Sequence, residues 1–324
     1  MNIQAKILSL NNDVFLKKIE KAYKTRENCS LCAHCCSVNR SVQELGFCGA
    51  GKDAQVACWQ IHRGEEPPLA EKGGAGAIFF THCNLKCVYC QNYQISQQQQ
   101  IKDVLSPKQL GAIMLKLQAQ GAQNIDLVSP THFLPQIIEA IYLAKKQGLY
   151  LPIVYNTNAY ESKITLDLLA GIVDIYMPDF KYFNDSFAYR YSGIKNYVST
   201  AKQAIKIMYD QVGDFIVDRD GCACRGLLLR HLVLPGKLAG SFEVLDFLKQ
   251  ETGINIGLSI MSQYSPCYQA QGIDELNTKV ESTLYDAVVE RVELLGFEQC
   301  WVQELKSSDI YSPDFEASKV FNIE

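Results

Sequence analysis

From Gly73 onward, short apolar runs alternate with longer amphipathic segments. The apolar runs predict strands at Ala77–Phe80, Asn124–Val128, Leu151–Asn156, Val173–Pro178, Gly226–Pro235 and Asn255–Met261. Between them, apolar residues recur at helical spacing over Pro107–Gly121, Leu134–Gln147, Ser162–Ala170, Tyr197–Gln211, Phe242–Glu251 and Leu276–Leu295. Ser106 offers an N-cap with Pro107 at the first helical position. Residues 1 to about 74 are rich in cysteine and poor in strand pattern, apart from a predicted helix over Asp13–Thr25. There is no internal repeat, and the one low-complexity stretch, Gln97–Gln100, reads as a solvated loop.

Strands alternating with helices of this length predict βαβ units around a parallel sheet. Right-handed crossovers would wind six such units into an α/β fold, a partial (β/α)6 barrel of the TIM type. The expected organisation is a cysteine-rich extension over 1–74, a barrel core over 75–305 and a tail over 306–324. In such barrels the functional loops follow the C-terminal ends of the strands.

The 324 residues carry a formal charge of −4 and are 48% hydrophobic. That balance shows no basic surplus for a nucleic-acid partner. No apolar run approaches the roughly 20 residues of a membrane helix, and Met1–Lys6 opens no secretory signal. Of thirteen cysteines, nine fall between Cys29 and Cys90. In a large chain without a signal, clustered thiols point to metal binding in a reducing cytoplasm rather than to a disulfide framework.

The sharpest chemistry is the run Thr81-His-Cys-Asn-Leu-Lys-Cys-Val-Tyr-Cys-Gln-Asn92, placed right after the first predicted strand. Cys83, Cys87 and Cys90 have Cys-x3-Cys-x2-Cys spacing, with Tyr89 before the last. Three thiolates on one short segment reach three corners of one iron–sulfur cube, and no fourth cysteine follows at ligand spacing. One iron of a four-iron cluster would then stay open. The plainer alternative is structural zinc with a distant fourth ligand.

This run resembles the radical S-adenosylmethionine (SAM) superfamily, in the branch of the pyruvate formate-lyase activating enzyme. Further similar segments are Asn124–Phe133, Leu151–Glu161, Asp174–Lys181 and Leu229–Gly236, and the cysteine-rich start is similar to the PflX-like subgroup. The resemblance implies a radical SAM barrel with a [4Fe-4S] cluster on Cys83, Cys87 and Cys90. It implies SAM on the open iron, one-electron cleavage to a 5'-deoxyadenosyl radical, and hydrogen abstraction from a substrate. The partner it implies is a low-potential electron donor such as flavodoxin or ferredoxin. The family's Gly-Gly-Glu turn reads Ser129-Pro-Thr-His132 here, leaving Thr131 as the stand-in contact to SAM. Asp179 and Lys181 match the activases' Asp-x-Lys, and Asn156, Asn158 and Gln263 stand at further strand ends. A lysine ammonium suits a carboxylate, and an aspartate suits hydroxyls or an amino group. A rim ion pair would explain Asp179 and Lys181 equally simply.

A second set, Cys29, Cys32, Cys36 and Cys48, offers four ligands within twenty residues, with Cys35 as a spare. Four thiolates suit zinc or an auxiliary iron–sulfur cluster alike; the alternative is a loop of buried thiols. Cys222, Cys224, Cys267 and Cys300 read as ordinary thiols, and His132 and His231 as packed histidines. Two substrate classes stay open, a glycyl radical enzyme to be activated and a small molecule or peptide to be modified. A non-catalytic iron–sulfur or zinc scaffold is the remaining class.

Overall fold

In a computed structural model the described residues are 4–98, 103–305, 313–317 and 320–321. The expected tail, 306–324, lies mostly outside them, as do Gln99 and Gln100 of the glutamine stretch. Ten strands form one sheet: β1 Ala54–His62, β2 Ala75–Phe80, β3 Asp103–Leu105, β4 Ile125–Val128, β5 Ile153–Thr157, β6 Ile175–Pro178, β7 Ile216–Val217, β8 Ala223–Leu232, β9 Gly257–Met261 and β10 Cys300–Val302. The order is β10-β9-β8-β6-β5-β4-β2-β1-β3, with β7 paired to β8. From β2 to β10 along this path every pairing is parallel, while β1 runs antiparallel to β2 and to β3. The sheet curls without closing, an α/β fold of the partial-barrel kind.

The six predicted strands are present with ends shifted by one to three residues: β4, β6 and β9 are shorter at the start, β2 begins earlier, and β5 and β8 are displaced. They are mainly apolar because helices cover one face and the barrel interior the other, with Asp126, Asn156 and Arg230 among the polar exceptions. Alternation sorts the side chains: Ile153, Tyr155, Tyr176, Leu227 and Leu229 join the core under the helices. Val154, Ile175, Met177 and Leu228 instead form a separate plug inside the sheet with Leu69 and Phe215.

Three features differ from expectation. The cysteine-rich region contributes β1, whose pattern is blurred by a bulge between Val56 and Cys58. The helix expected from Leu276 begins only at Ser282, because the Leu276 carbonyl accepts from the buried Tyr264 hydroxyl at 2.6 Å and its N–H turns back to Ile273. A short helix at Asp185–Ser192, polar on balance and capped by Asn184, lies outside the predicted elements. The early helix, Asn12–Lys24, joins the outer layer, where Phe15 meets Tyr142 with ring centroids 5.4 Å apart. The Ser106 cap is a full capping box with Gln109. Among the described residues no helix is long and apolar enough to cross a membrane.

Gly226 opens the paired part of β8 with φ +119, and a Cβ there would lie 2.2 Å from the Asp214 carbonyl oxygen. Gly226→Ala should therefore lower unfolding free energy by roughly 2–4 kcal/mol in chemical denaturation; an unchanged midpoint would contradict the packing described.

Candidate metal and SAM site

The loop after β2 presents Cys83, Cys87 and Cys90 to one cavity of about 210 Å³ at the C-terminal ends of the strands. This loop has little regular structure of its own, so its shape comes from what holds it. His82 adopts a left-handed φ of 64; its N–H donates to Ile95 at 2.9 Å and its ring meets the Gln55 side chain at 2.7 Å. The Lys86 and Val88 N–H groups donate to the Ser192 and Tyr191 carbonyls at 2.9 and 2.8 Å. Asn84 donates to the Tyr160 carbonyl at 3.0 Å and accepts from Asn158 at 2.7 Å. Tyr89 is buried edge-on against Tyr182 and Tyr264.

Each sulfur meets a hydrogen-bonding group. Leu85 N–H donates to Cys83 Sγ at 3.4 Å, Ser192 Oγ to Cys87 Sγ at 3.0 Å, and Ser96 Oγ lies 3.3 Å from Cys90 Sγ. Burial pushes the Cys83 and Cys90 thiols up to about 11 and about 12, with Cys87 adding to both. A bare thiolate is therefore disfavoured, and donors aimed at the sulfurs favour a thiolate once a cation shares its charge. That donor set fits a cluster held by three thiolates.

Opposite the sulfurs, Lys181 Nζ donates to Asp179 Oδ2 at 2.7 Å, with the two side chains 18% and 23% exposed. Burial opposes the Lys181 charge, but Asp179 and Cys87 outweigh it and hold the ammonium above its ordinary value. The buried Tyr197 hydroxyl accepts from the Lys181 N–H at 2.9 Å and lies 3.1 and 3.0 Å from the Asn158 and Asp179 carbonyl oxygens. One phenol thus ties the ends of β5 and β6 together. Asn156, Asn158 and Gln263 also line the cavity; the Asn158 amide reaches Cys83 Sγ at 3.6 Å.

Thr131 is the exception. It does not line the cavity: its hydroxyl is buried and donates to Glu161 Oε1 at 2.6 Å. Ser129, with φ 55, takes the turn's place on the cavity wall. His132 donates through Nε2 to the Thr81 carbonyl at 2.6 Å, and burial lowers it to about 3, so the ring stays neutral. His231 is likewise a packed histidine, between the Phe180 carbonyl and Ser241. Cys29, Cys32, Cys36 and Cys48 lie outside the cavity, behind Asn84 and Tyr160.

Pattern reading missed a charged layer inside the barrel. Arg230 of β8 lies 3.3 Å from Glu65 and 3.2 Å from Glu66, and Asp126 of β4 is buried beside them. Burial and the neighbouring Glu65 push the Asp126 carboxyl well up, against the pull of Arg230. Arg230, Glu65 and His62 reach the cavity. A charged residue in the middle of an apolar strand, as in Ile125-Asp-Leu-Val128, is the signal that marks such a layer.

The family model described as "Radical SAM superfamily" matches residues 77–218. Residues 77–218 thus carry a radical SAM superfamily domain. It is 32% identical over 287 residues to the uncharacterized protein MJ0674 of Methanocaldococcus jannaschii, covering 86% of this chain and 77% of that protein. Among solved structures it is similar to Streptococcus suis SuiB bound to S-adenosylmethionine, at 12% identity and a TM-score of 0.47, over 68% of this chain and 48% of SuiB. It is also similar to HydG, a maturase of the [FeFe]-hydrogenase, at 13% identity and a TM-score of 0.49, over 91% of this chain and 64% of HydG. The chain thus spans about half the length of the SuiB structure it matches.

Burial pushes the Glu161 carboxyl from 4.5 up to about 7, against hydrogen bonds from Thr131, Thr157 and Tyr155. Its folded pKa is raised, so the native state binds the proton more tightly. Stability then falls as pH rises from about 4.5 to about 7 and stays lowered above that. Glu161→Gln should remove that part of the fall, on the order of 3 kcal/mol. Parallel pH–stability curves for wild type and variant would contradict this.

Proposed function

We propose that this chain is a radical SAM enzyme, with a [4Fe-4S] cluster on Cys83, Cys87 and Cys90 and SAM bound between that cluster and Asp179–Lys181. The observation that carries this reading is the convergence of three hydrogen-bonded thiols and a half-buried lysine–aspartate pair on one cavity at the strand ends. A bound and reduced cluster held by Cys83, Cys87 and Cys90 would supply the electron for reductive cleavage of SAM and, through it, hydrogen abstraction from the substrate.

The protein's own part is to bind and orient. The Lys181 ammonium suits the methionine carboxylate, and Asp179 holds it in place while offering an acceptor for a hydroxyl or amino group. The amides of Asn156, Asn158 and Gln263 offer donors and acceptors for the ribose and the amino-acid end. In this reading the Ser129 turn takes the role expected of Thr131. Burial of Tyr89, Tyr182 and Tyr197 around the sulfurs keeps water from the radical.

For the substrate, modification of a small molecule or an extended peptide is favoured over activation of a glycyl radical enzyme. Phe315 packs on Phe79 at 5.8 Å and Phe321 on His62 at 4.3 Å, and Pro313 and Phe321 wall the cavity. A loop from a folded partner would have to displace this wall. The activase version rests on motif resemblance.

Anaerobic loading of the full chain with iron and sulfide, followed by SAM and dithionite, should yield 5'-deoxyadenosine, read by chromatography. Cys87→Ser should abolish it and lower bound iron. A fully loaded wild type that neither binds nor cleaves SAM would refute the assignment. Lys181→Met should weaken SAM binding by roughly 10- to 100-fold in equilibrium dialysis, the loss of one charged hydrogen-bond pair. Unchanged affinity would remove Lys181 from the site.

A further inference from the structure

Cys29, Cys32, Cys36 and Cys48 do not line the cavity but sit together on one loop behind it. Cys29 N–H donates to the Val38 carbonyl and Ser37 N–H to the Cys29 carbonyl, both at 3.0 Å, which lays Cys36 beside Cys29. Left-handed backbone at Cys35 and Ser37 makes turns between ligand positions, and Gly49 makes the turn just after the last. Gly46 lies so close that a Cβ there would sit 2.5 Å from Cys36 Sγ. The Cys29 sulfur has Cys36 and Cys48 as charged-form neighbours, and Cys32 has Cys48 and Cys29.

One further observation points to a ligand. Beside this group stands Arg40, a cation only 1% exposed and near Cys29. Its guanidinium donates to the His132 and Gly51 carbonyls, groups that carry no countercharge, and its Nε has no hydrogen-bond partner. A metal held by four thiolates carries net negative charge, which a buried arginine offsets. Cys29, Cys32, Cys36 and Cys48 are free thiols, so no disulfide satisfies the set.

We propose that Cys29, Cys32, Cys36 and Cys48 ligate a second metal centre, a tetrathiolate site for zinc or an iron–sulfur cluster. The plain alternative is a packed loop of thiols. As placed, no three His, Cys, Asp or Glu groups among the described residues meet around one ion. That holds for this set and for the Cys83 set alike, so loading either draws its sulfurs together. Cys35 is the exposed spare. The centre braces the catalytic loop from behind: His34 Nε2 lies 2.8 Å from the Asn84 carbonyl oxygen, and Cys32 bridges Glu161, which holds Thr131. The proposal stands apart from the assignment of the cavity, since none of its four ligands lines it.

The test uses the full chain with Cys83, Cys87 and Cys90 all changed to Ala. One sample is loaded anaerobically with ferrous iron and sulfide, another with Zn2+, and each is desalted. The proposal expects about one zinc per chain, or iron with matching sulfide and a thiolate-to-iron absorption band. Adding Cys32→Ser and Cys36→Ser should abolish retention. Zinc retention alone assigns a structural centre, and iron with sulfide an auxiliary cluster. A folded triple variant, by circular dichroism, that keeps neither metal overturns the proposal. Should that variant misfold, the loaded wild type decides: metal beyond about four irons per chain supports it, and about four irons with no zinc overturns it.

Discussion

The structure depends on holding three sulfurs of one short, irregular loop in a fixed relation to one another. A loop lacking secondary structure pays about 1–2 kcal/mol per ordered residue in backbone entropy. Here its order comes from hydrogen bonds to four separate parts of the chain. Gln55 on β1 fixes Thr81 and His82, the Tyr160 loop fixes Asn84, the end of the Asp185–Ser192 helix fixes Lys86 and Val88, and Ala270 donates to Val88. The barrel is what brings those four parts together. This explains why the cysteine-rich extension is woven into the sheet through β1 rather than trailing from it.

Beneath the sulfurs the interior changes character in layers. The apolar plug of Val154, Ile175, Met177 and Leu228 closes the lower end. Above it lies the charged layer of Arg230, Glu65, Glu66 and Asp126, and above that the cavity with Asp179 and Lys181. Buried charges at this density are costly unless paired. Their place under the cavity gives the arrangement a use in the proposed reading, because the same low dielectric that pushes the Asp126 carboxyl up would also strengthen the grip of Lys181 on an anion.

The parts legible in the sequence were those where burial leaves a strong local signature. Six doubly covered strands read as apolar runs, and the cysteine triplet followed the first of them. What stayed hidden is set by tertiary contact. β1 is interrupted by a bulge, and the Asp185–Ser192 helix is polar because its work is to offer carbonyls and Ser192 Oγ to the cysteine loop. Thr131 was misplaced because a turn sequence does not say which way its side chain points; Glu161, thirty residues on, decides that. The Arg230 layer was present in the sequence as charges inside apolar strands, a signal tied to no motif.

The central claim is that three thiolates leave one iron free for SAM. The most direct measurement is electron–nuclear double resonance on the reduced, loaded protein with SAM labelled with 15N at its methionine amino group. The account predicts a 15N hyperfine coupling to the cluster and a change in its resonance spectrum when SAM is added. A reduced cluster whose spectrum is unaltered by saturating SAM, with no such coupling, would contradict it.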